Sequence, residues 1–131
     1  MKSLLLLVAL LFAVAFSSST AVTSKASANP KKQKSVVQFN DPVRLMGVTL
    51  KGTYLFVHDD TLMAAGQECT YVYKGDAEIA SKLVVKFHCT PTQRTKVDSF
   101  VVRTELVGGV NELREYQFPG ETESHMAPLG K

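Results

Sequence analysis

The chain predicts an all-β protein: a small antiparallel β-sandwich or open β-barrel of about six to eight short strands, with one hairpin disulfide. Three observations carry this reading. Apolar residues recur in short runs, several alternating with polar ones, and turn residues (Asn40-Asp41-Pro42, Lys51-Gly52, Gly108-Gly109) punctuate them roughly every 8 to 12 residues. Beyond the N-terminal apolar run, no segment sustains a helical period long enough for a stable helix. Two cysteines, Cys69 and Cys89, bracket one of the predicted hairpins.

The N-terminus reads as an address, not as fold. Lys2 precedes an apolar run over residues 4–16, and small polar residues lead to Ala21. This is the pattern of a secretory signal peptide over residues 1–21, too short and wrongly flanked for a membrane span. Cleavage after Ala21 fits the Ser19-Thr20-Ala21 triplet, and cleavage after Ala28 fits Ala26-Ser27-Ala28. Export implies a secreted or periplasmic protein, no stable membrane anchor once the signal is removed, and an oxidising space in which two cysteines pair. Residues 22–35, rich in Ser, Ala and Lys, are expected to form a flexible leader. Residues 36–131 make a single β-domain with a loose C-terminal tail.

Within that domain, residues 36–39 start a short strand, Pro42 interrupts it, and residues 43–45 resume extended structure. Residues 53–58 predict a central strand buried on both sides, with Tyr54 and Phe56 on one face and Leu55 and Val57 on the other. Asp59-Asp60 ends it. Residues 61–67 read as a loop or weak strand: residues 62–65 could make one helical turn, but Gly66 follows too soon for a helix. The hairpin from Cys69 to Cys89 follows. Pairing the two cysteines sets Tyr71 against Phe87 and Tyr73 against Val85, so the apolar pairs and the cysteines share one face. The disulfide closing that loop contributes about 3 kcal/mol in the chain-entropy account.

Residues 90–96 read as a polar connection broken by Pro91. A second hairpin joins residues 98–106 to 111–118. A three-residue loop sets Phe100 against Phe118, Val102 against Tyr116 and Arg103 against Glu115. A two-residue loop would oppose Arg103 to Arg114 and Glu105 to Glu112, and like charges directly opposite are unfavourable. Residues 121–129 suggest a last edge strand.

The motif Asp41-Pro42-Val43, with Leu45, Gly47, Leu50, Gly52 and Tyr54 behind it, resembles the opening of a group of small uncharacterised exported bacterial proteins. Their pattern is a signal peptide, a Pro-Val strand, a Gly turn, and a Leu-x-x-Gly-x-Tyr turn into a long strand. The turn Leu50-Lys51-Gly52-Thr53-Tyr54 is one residue shorter than theirs, and the cysteine pair is not part of their pattern. The resemblance spans about the first third of the mature chain. It implies a compact β-domain and brings no catalytic residues.

The formal charge of +3 falls to about +1 to +2 once the signal is removed, too near neutral for a dedicated nucleic-acid or membrane-surface binder. Nothing expected of catalysis is assembled. No Gly-x-Ser-x-Gly elbow occurs, and Gly108-Gly109 is a hairpin turn, not a phosphate loop. His88 and Cys89 are neighbours on a strand and point to opposite faces, and a disulfide-bonded Cys89 offers no thiolate. Metal ligation has more support. Glu121, Glu123 and His125 alternate, so an extended strand projects all three on one face, with His58 or His88 to complete a shell. The same residues also suit a charged edge that discourages sheet-to-sheet aggregation. The expected function is non-enzymatic: binding of a protein or small-molecule ligand, or a structural role in the cell envelope, without a cofactor. The alternative is a metal-binding exported protein using Glu121, Glu123 and His125.

Overall fold

The computed structural model describes residues 31–129; the expected signal peptide, its expected cleavage sites and residues 22–30 of the expected leader lie outside them. In chain order the elements are β1 (Lys32–Leu45), β2 (Val48–Asp59), a one-turn helix α1 (Asp60–Ala64), β3 (Thr70–Lys74), a 3-10 turn at Ala80–Lys82, β4 (Leu83–Phe87), β5 (Thr90–Gln93), β6 (Val101–Val107), β7 (Val110–Gln117) and β8 (Glu123–Met126). The protein is all-β, as expected, although β1 and β2 are long strands of 14 and 12 residues. The first four residues of β1 pair with the end of β2, so residues 32–35 are strand and not leader.

A tight turn at Met46-Gly47 joins β1 to β2. Both residues have positive φ, 50° and 79°, which is the two-residue turn whose twist matches that of the flanking strands. Pro42 does not break β1. Residues 40–42 bulge out of the ladder between Phe39↔Gly52 and Val43↔Leu50, which lets proline sit in the strand without a donor to spare.

All eight strands join one sheet in the order β4-β3-β2-β1-β7-β8-β5, with β6 on the other side of β7. The two arms leave the same edge of β7: β1 pairs with it in parallel at Asn111 and Glu112, and β8 pairs antiparallel from Glu115 to Gln117. The sheet is strongly curled. The rings of His58 on β2 and His125 on β8, strands that are not hydrogen-bonded neighbours, come within 3.9 Å between centroids. The inside of the curl holds the main core: Phe39, Leu45, Leu50, Phe56, Val72, Phe87, Leu113, Tyr116 and Phe118 among others. The outer face of β2 carries a smaller cluster of Leu55, Val57 and Tyr73. This strand is therefore buried on both faces, as its sequence predicts.

Three expectations are corrected. First, the hairpin register is displaced by one residue: Thr70 pairs with Phe87, Tyr71 with Lys86 and Val72 with Val85. Tyr71 and Phe87 thus point to opposite faces. The core accepts Thr70 because its hydroxyl meets that of Tyr116, while Tyr71 and Tyr73 pack outward on Leu55 and Val57. Second, the β6–β7 turn has two residues, Gly108 and Gly109, both at positive φ. A bulge after Arg103 reconciles it with the expected pairs Val102↔Tyr116 and Arg103↔Glu115. Glu105 does face Glu112, and Arg114 bridges them at 2.8 and 3.3 Å while Arg44 takes the far side of Glu112 at 2.6 Å. Third, residues 90–93 form β5 rather than a plain connection, and β8 lies between β7 and β5, so it is not an edge.

Glu115 ties the β8 arm to β7. It is buried, accepts from Arg94 Nε and Nη2 at 3.2 and 2.8 Å, and accepts from Ser124 Oγ at 2.5 Å, with Arg103 at 3.7 Å. Burial alone would raise its carboxyl; the Arg94 and Ser124 hydrogen bonds and both arginine charges outweigh it and hold the group below its ordinary 4.5. A depressed carboxyl contributes stability above its unfolded pKa and loses it as pH falls through the folded value. Glu115→Gln is expected to cost about 1.5–3 kcal/mol at pH 7, the scale of hydrogen bonds to a charged group. It should also flatten the stability loss below pH 4.5, as urea titrations at several pH values would register.

Candidate metal centre

The site grows from the end of β2. Tyr54, Phe56 and His58 alternate onto the core face, so the strand delivers an imidazole into the interior, where His58 has no exposed surface. The chain then turns. Asp59 caps α1 by accepting from Thr61 N and Leu62 N at 2.9 and 3.2 Å. This single helical turn leans Met63 over the core. Cys69 enters just before β3, held by Asp59 N to Cys69 O and Cys69 N to Phe87 O, both 3.0 Å. Cys89 sits in the step between β4 and β5, and β5 pairs Pro91 with His125 of β8.

These elements converge on one sulfur. Cys89 Sγ lies 2.9 Å from Cys69 Sγ, 3.3 Å from His58 Nε2, 3.6 Å from His125 Nδ1 and 3.8 Å from Met63 Sδ. Both cysteines and both histidines are at most 2% exposed. His58, Cys69 and Cys89 place their ligand atoms within 4.8 Å of one another. A tetrahedral zinc-type ion, with bonds of about 2.3 Å to sulfur and 2.0 Å to nitrogen, sets its ligand atoms about 3.3–3.8 Å apart. The two Cys89-to-imidazole separations already match. The sulfurs need to part by less than about 1 Å to do so.

The expected disulfide is not at bonding distance. Both cysteines are thiols, with their sulfurs 2.9 Å apart against about 2.05 Å for a bond. Burial, then the neighbouring Cys69, pushes the Cys89 thiol up to about 12. Burial lowers His125 to about 3, helped by His58, and burial lowers His58 against the pull of Asp60 and Asp59. Both imidazoles are therefore neutral at pH 7, the form that ligates.

His58 Nδ1 is buried without an aligned hydrogen bond, although Asp60 Oδ1 stands 3.2 Å away. A carboxylate behind the non-ligating nitrogen is the outer partner that orients a metal-bound histidine. His88 is different: it is exposed, and its Nδ1 bonds Gln67 O at 2.8 Å, which occupies that nitrogen in holding the loop.

The residues singled out from sequence divide. His125 is buried in the cluster, stacked on Tyr116 at 5.1 Å. Glu123 follows at 3.8 Å from His125 Nδ1, its carboxyl raised by burial and then by Asp60 and Glu121. Glu121 precedes β8 and is committed to Lys31 and Gln33. The three line one cavity of about 160 Å³ with Lys31, Gln33 and Asp60. Sequence reasoning missed the two thiols and Met63 as donors. Assigning the cysteines to each other removed them from consideration. The available signal was the alternation that sends His58 to the same face as Phe56.

The chain matches no protein-family model, no curated protein and no solved structure.

Proposed function

We propose that this is an exported, non-enzymatic β-domain that binds a soft metal ion through Cys69, Cys89, His58 and His125. The observation that carries the reading is the convergence of three buried side chains, Cys69, His58 and His125, on the buried Cys89 Sγ. A hydrophobic core gains nothing by collecting two thiols and two imidazoles. The ion's positive charge offsets that of the thiolates it holds, which lowers the cost of burying them. Asp60 stands outside this set as the carboxylate that orients His58, and Glu123 borders it beside His125. Glu121 belongs to the surface pair with Lys31.

The expected disulfide is the second reading, favoured by the 2.9 Å approach of the sulfurs and by the export signal. In that state the domain is a disulfide-stapled binding module without an ion. The two states exclude each other, because the same sulfur electrons serve either bond.

Reduced, untagged protein dialysed against zinc should retain one ion per chain by elemental analysis. His125→Ala should weaken retention at least about tenfold. Absence of any ion at stoichiometry from fully reduced protein overturns the metal reading. Thiol counting on protein isolated without reductant separates the disulfide state from the thiol state.

A further inference from the structure

The geometry points to copper, held as Cu(I), as the ion of this site, with Met63 as the thioether ligand that selects it over zinc; this rests on the metal reading above. Zinc sites in proteins are built from Cys, His and carboxylates. A thioether is a soft, neutral donor whose useful partners are copper ions. Met63 Sδ is 3.8 Å from Cys89 Sγ, within the distance that separates two ligands of one ion. Around Cys89 the donors are thus a second thiol, the His58 imidazole and a thioether, the soft set that selects Cu(I), with His125 Nδ1 3.6 Å from the same sulfur.

Nor is the methionine there as filler. It sits on α1, a helix of one turn fixed by the Asp59 cap, and that turn joins the His58 strand to the Cys69 segment. Met63 is half-buried while its helical neighbour Ala64 is exposed, so the turn presents its thioether inward. Asp60 Oδ1 faces His58 Nδ1, the nitrogen opposite the one turned to Cys89. Glu123 Oε1 stands 3.8 Å from His125 Nδ1, and among the described residues no carboxylate joins the group of His58, Cys69 and Cys89.

Cys69 decides the oxidation state. A second thiol 2.9 Å from the first gives Cu(II) a ready reductant. Two thiolates each surrender one electron to one of two Cu(II) ions, and the two sulfurs join as a disulfide while two Cu(I) ions form. A copper-loaded site whose two sulfurs remain unbridged is therefore a Cu(I) site.

The test uses the full mature chain, reduced and kept anaerobic. Cu(I) is titrated against bicinchoninate as a colorimetric competitor, and zinc against a chromophoric zinc chelator. One Cu(I) per chain is expected, and equimolar Cu(I) should displace bound zinc. Met63→Leu, nearly isosteric and apolar, keeps the packing. It should weaken Cu(I) at least about tenfold, the low end of what losing even an outer partner costs a metal site, and leave zinc affinity within about threefold. X-ray absorption on the Cu(I) form should lose its longest sulfur scatterer in the variant. Equal losses for both ions, or no loss for either, overturn the role of Met63. Zinc that survives equimolar Cu(I) overturns the copper assignment but leaves the metal site standing. Failure of both ions to bind the reduced chain overturns the site itself.

Discussion

Cys89→Ser is expected to abolish stoichiometric metal binding by the reduced protein. No other residue of the cluster touches so many of the rest: one thiol, two imidazoles and a thioether all lie within 3.8 Å of this sulfur. A serine hydroxyl fills nearly the same space but does not ionise at neutral pH and is a hard donor. Loss of an outer-shell partner already costs about 10–100-fold in affinity, so loss of the central thiolate should exceed that. Thermal unfolding gives a second readout. An ion at a thousand times its dissociation constant adds about 4 kcal/mol to the folded state, and that increment should vanish in the variant. The same substitution separates thiols from disulfide. If the oxidised, metal-free protein carries the bridge across the loop between the two cysteines, Cys89→Ser should also cost it about 3 kcal/mol, whereas the reduced protein should be spared that part.

Phe56→Ala should cost about 3–5 kcal/mol. Phe56 is completely buried at the centre of the curl, and its ring meets Phe39, Phe100 and Tyr116 at centroid distances of 6.3, 5.4 and 5.3 Å. Those partners come from β1, the segment before β6, and β7. Removing the ring opens a cavity at the point where the two arms of the sheet lean on one another. For a domain near 100 residues, a loss of this size lowers the melting temperature by more than about 12 °C. Ion affinity should fall with it, because the spacing of His58 and His125 depends on the arms staying closed. Thermal melts of apo protein, followed by titration at a temperature where the variant is still folded, measure the two effects separately.

Much of the architecture is legible in the chain because strand signals are local. The alternation Tyr54, Phe56 against Leu55, Val57 places β2 at the centre, and the glycines at 47, 108 and 109 mark the tight turns. What is not local fails. The register of the Cys69–Cys89 hairpin depends on Thr70 meeting the Tyr116 hydroxyl, 46 positions away in sequence. The Glu105–Glu112 opposition is tolerable only because Arg114 and Arg44 converge on it, and Arg44 comes from another strand. Likewise Pro42 suggests a break, and only the long pairing partner β2 shows that the chain bulges and continues. The centre suffers most. Its donors stand at positions 58, 63, 69, 89 and 125, with none of the close spacings by which ligand sets announce themselves. His125 was found for its neighbours Glu121 and Glu123, yet its closest donor is Cys89.

The insertion of β8 between β7 and β5 bears on when the cluster can exist. His125 is six residues from the end of the chain, and His58 belongs to the first hairpin. A growing or partly collapsed chain can finish the β1–β4 arm and hold one imidazole and two thiols, but the second imidazole arrives only with the final strand. On the proposed reading, tight loading waits until β8 has docked between β7 and β5. An intermediate lacking that last strand would hold any captured ion loosely and surrender it to competitors.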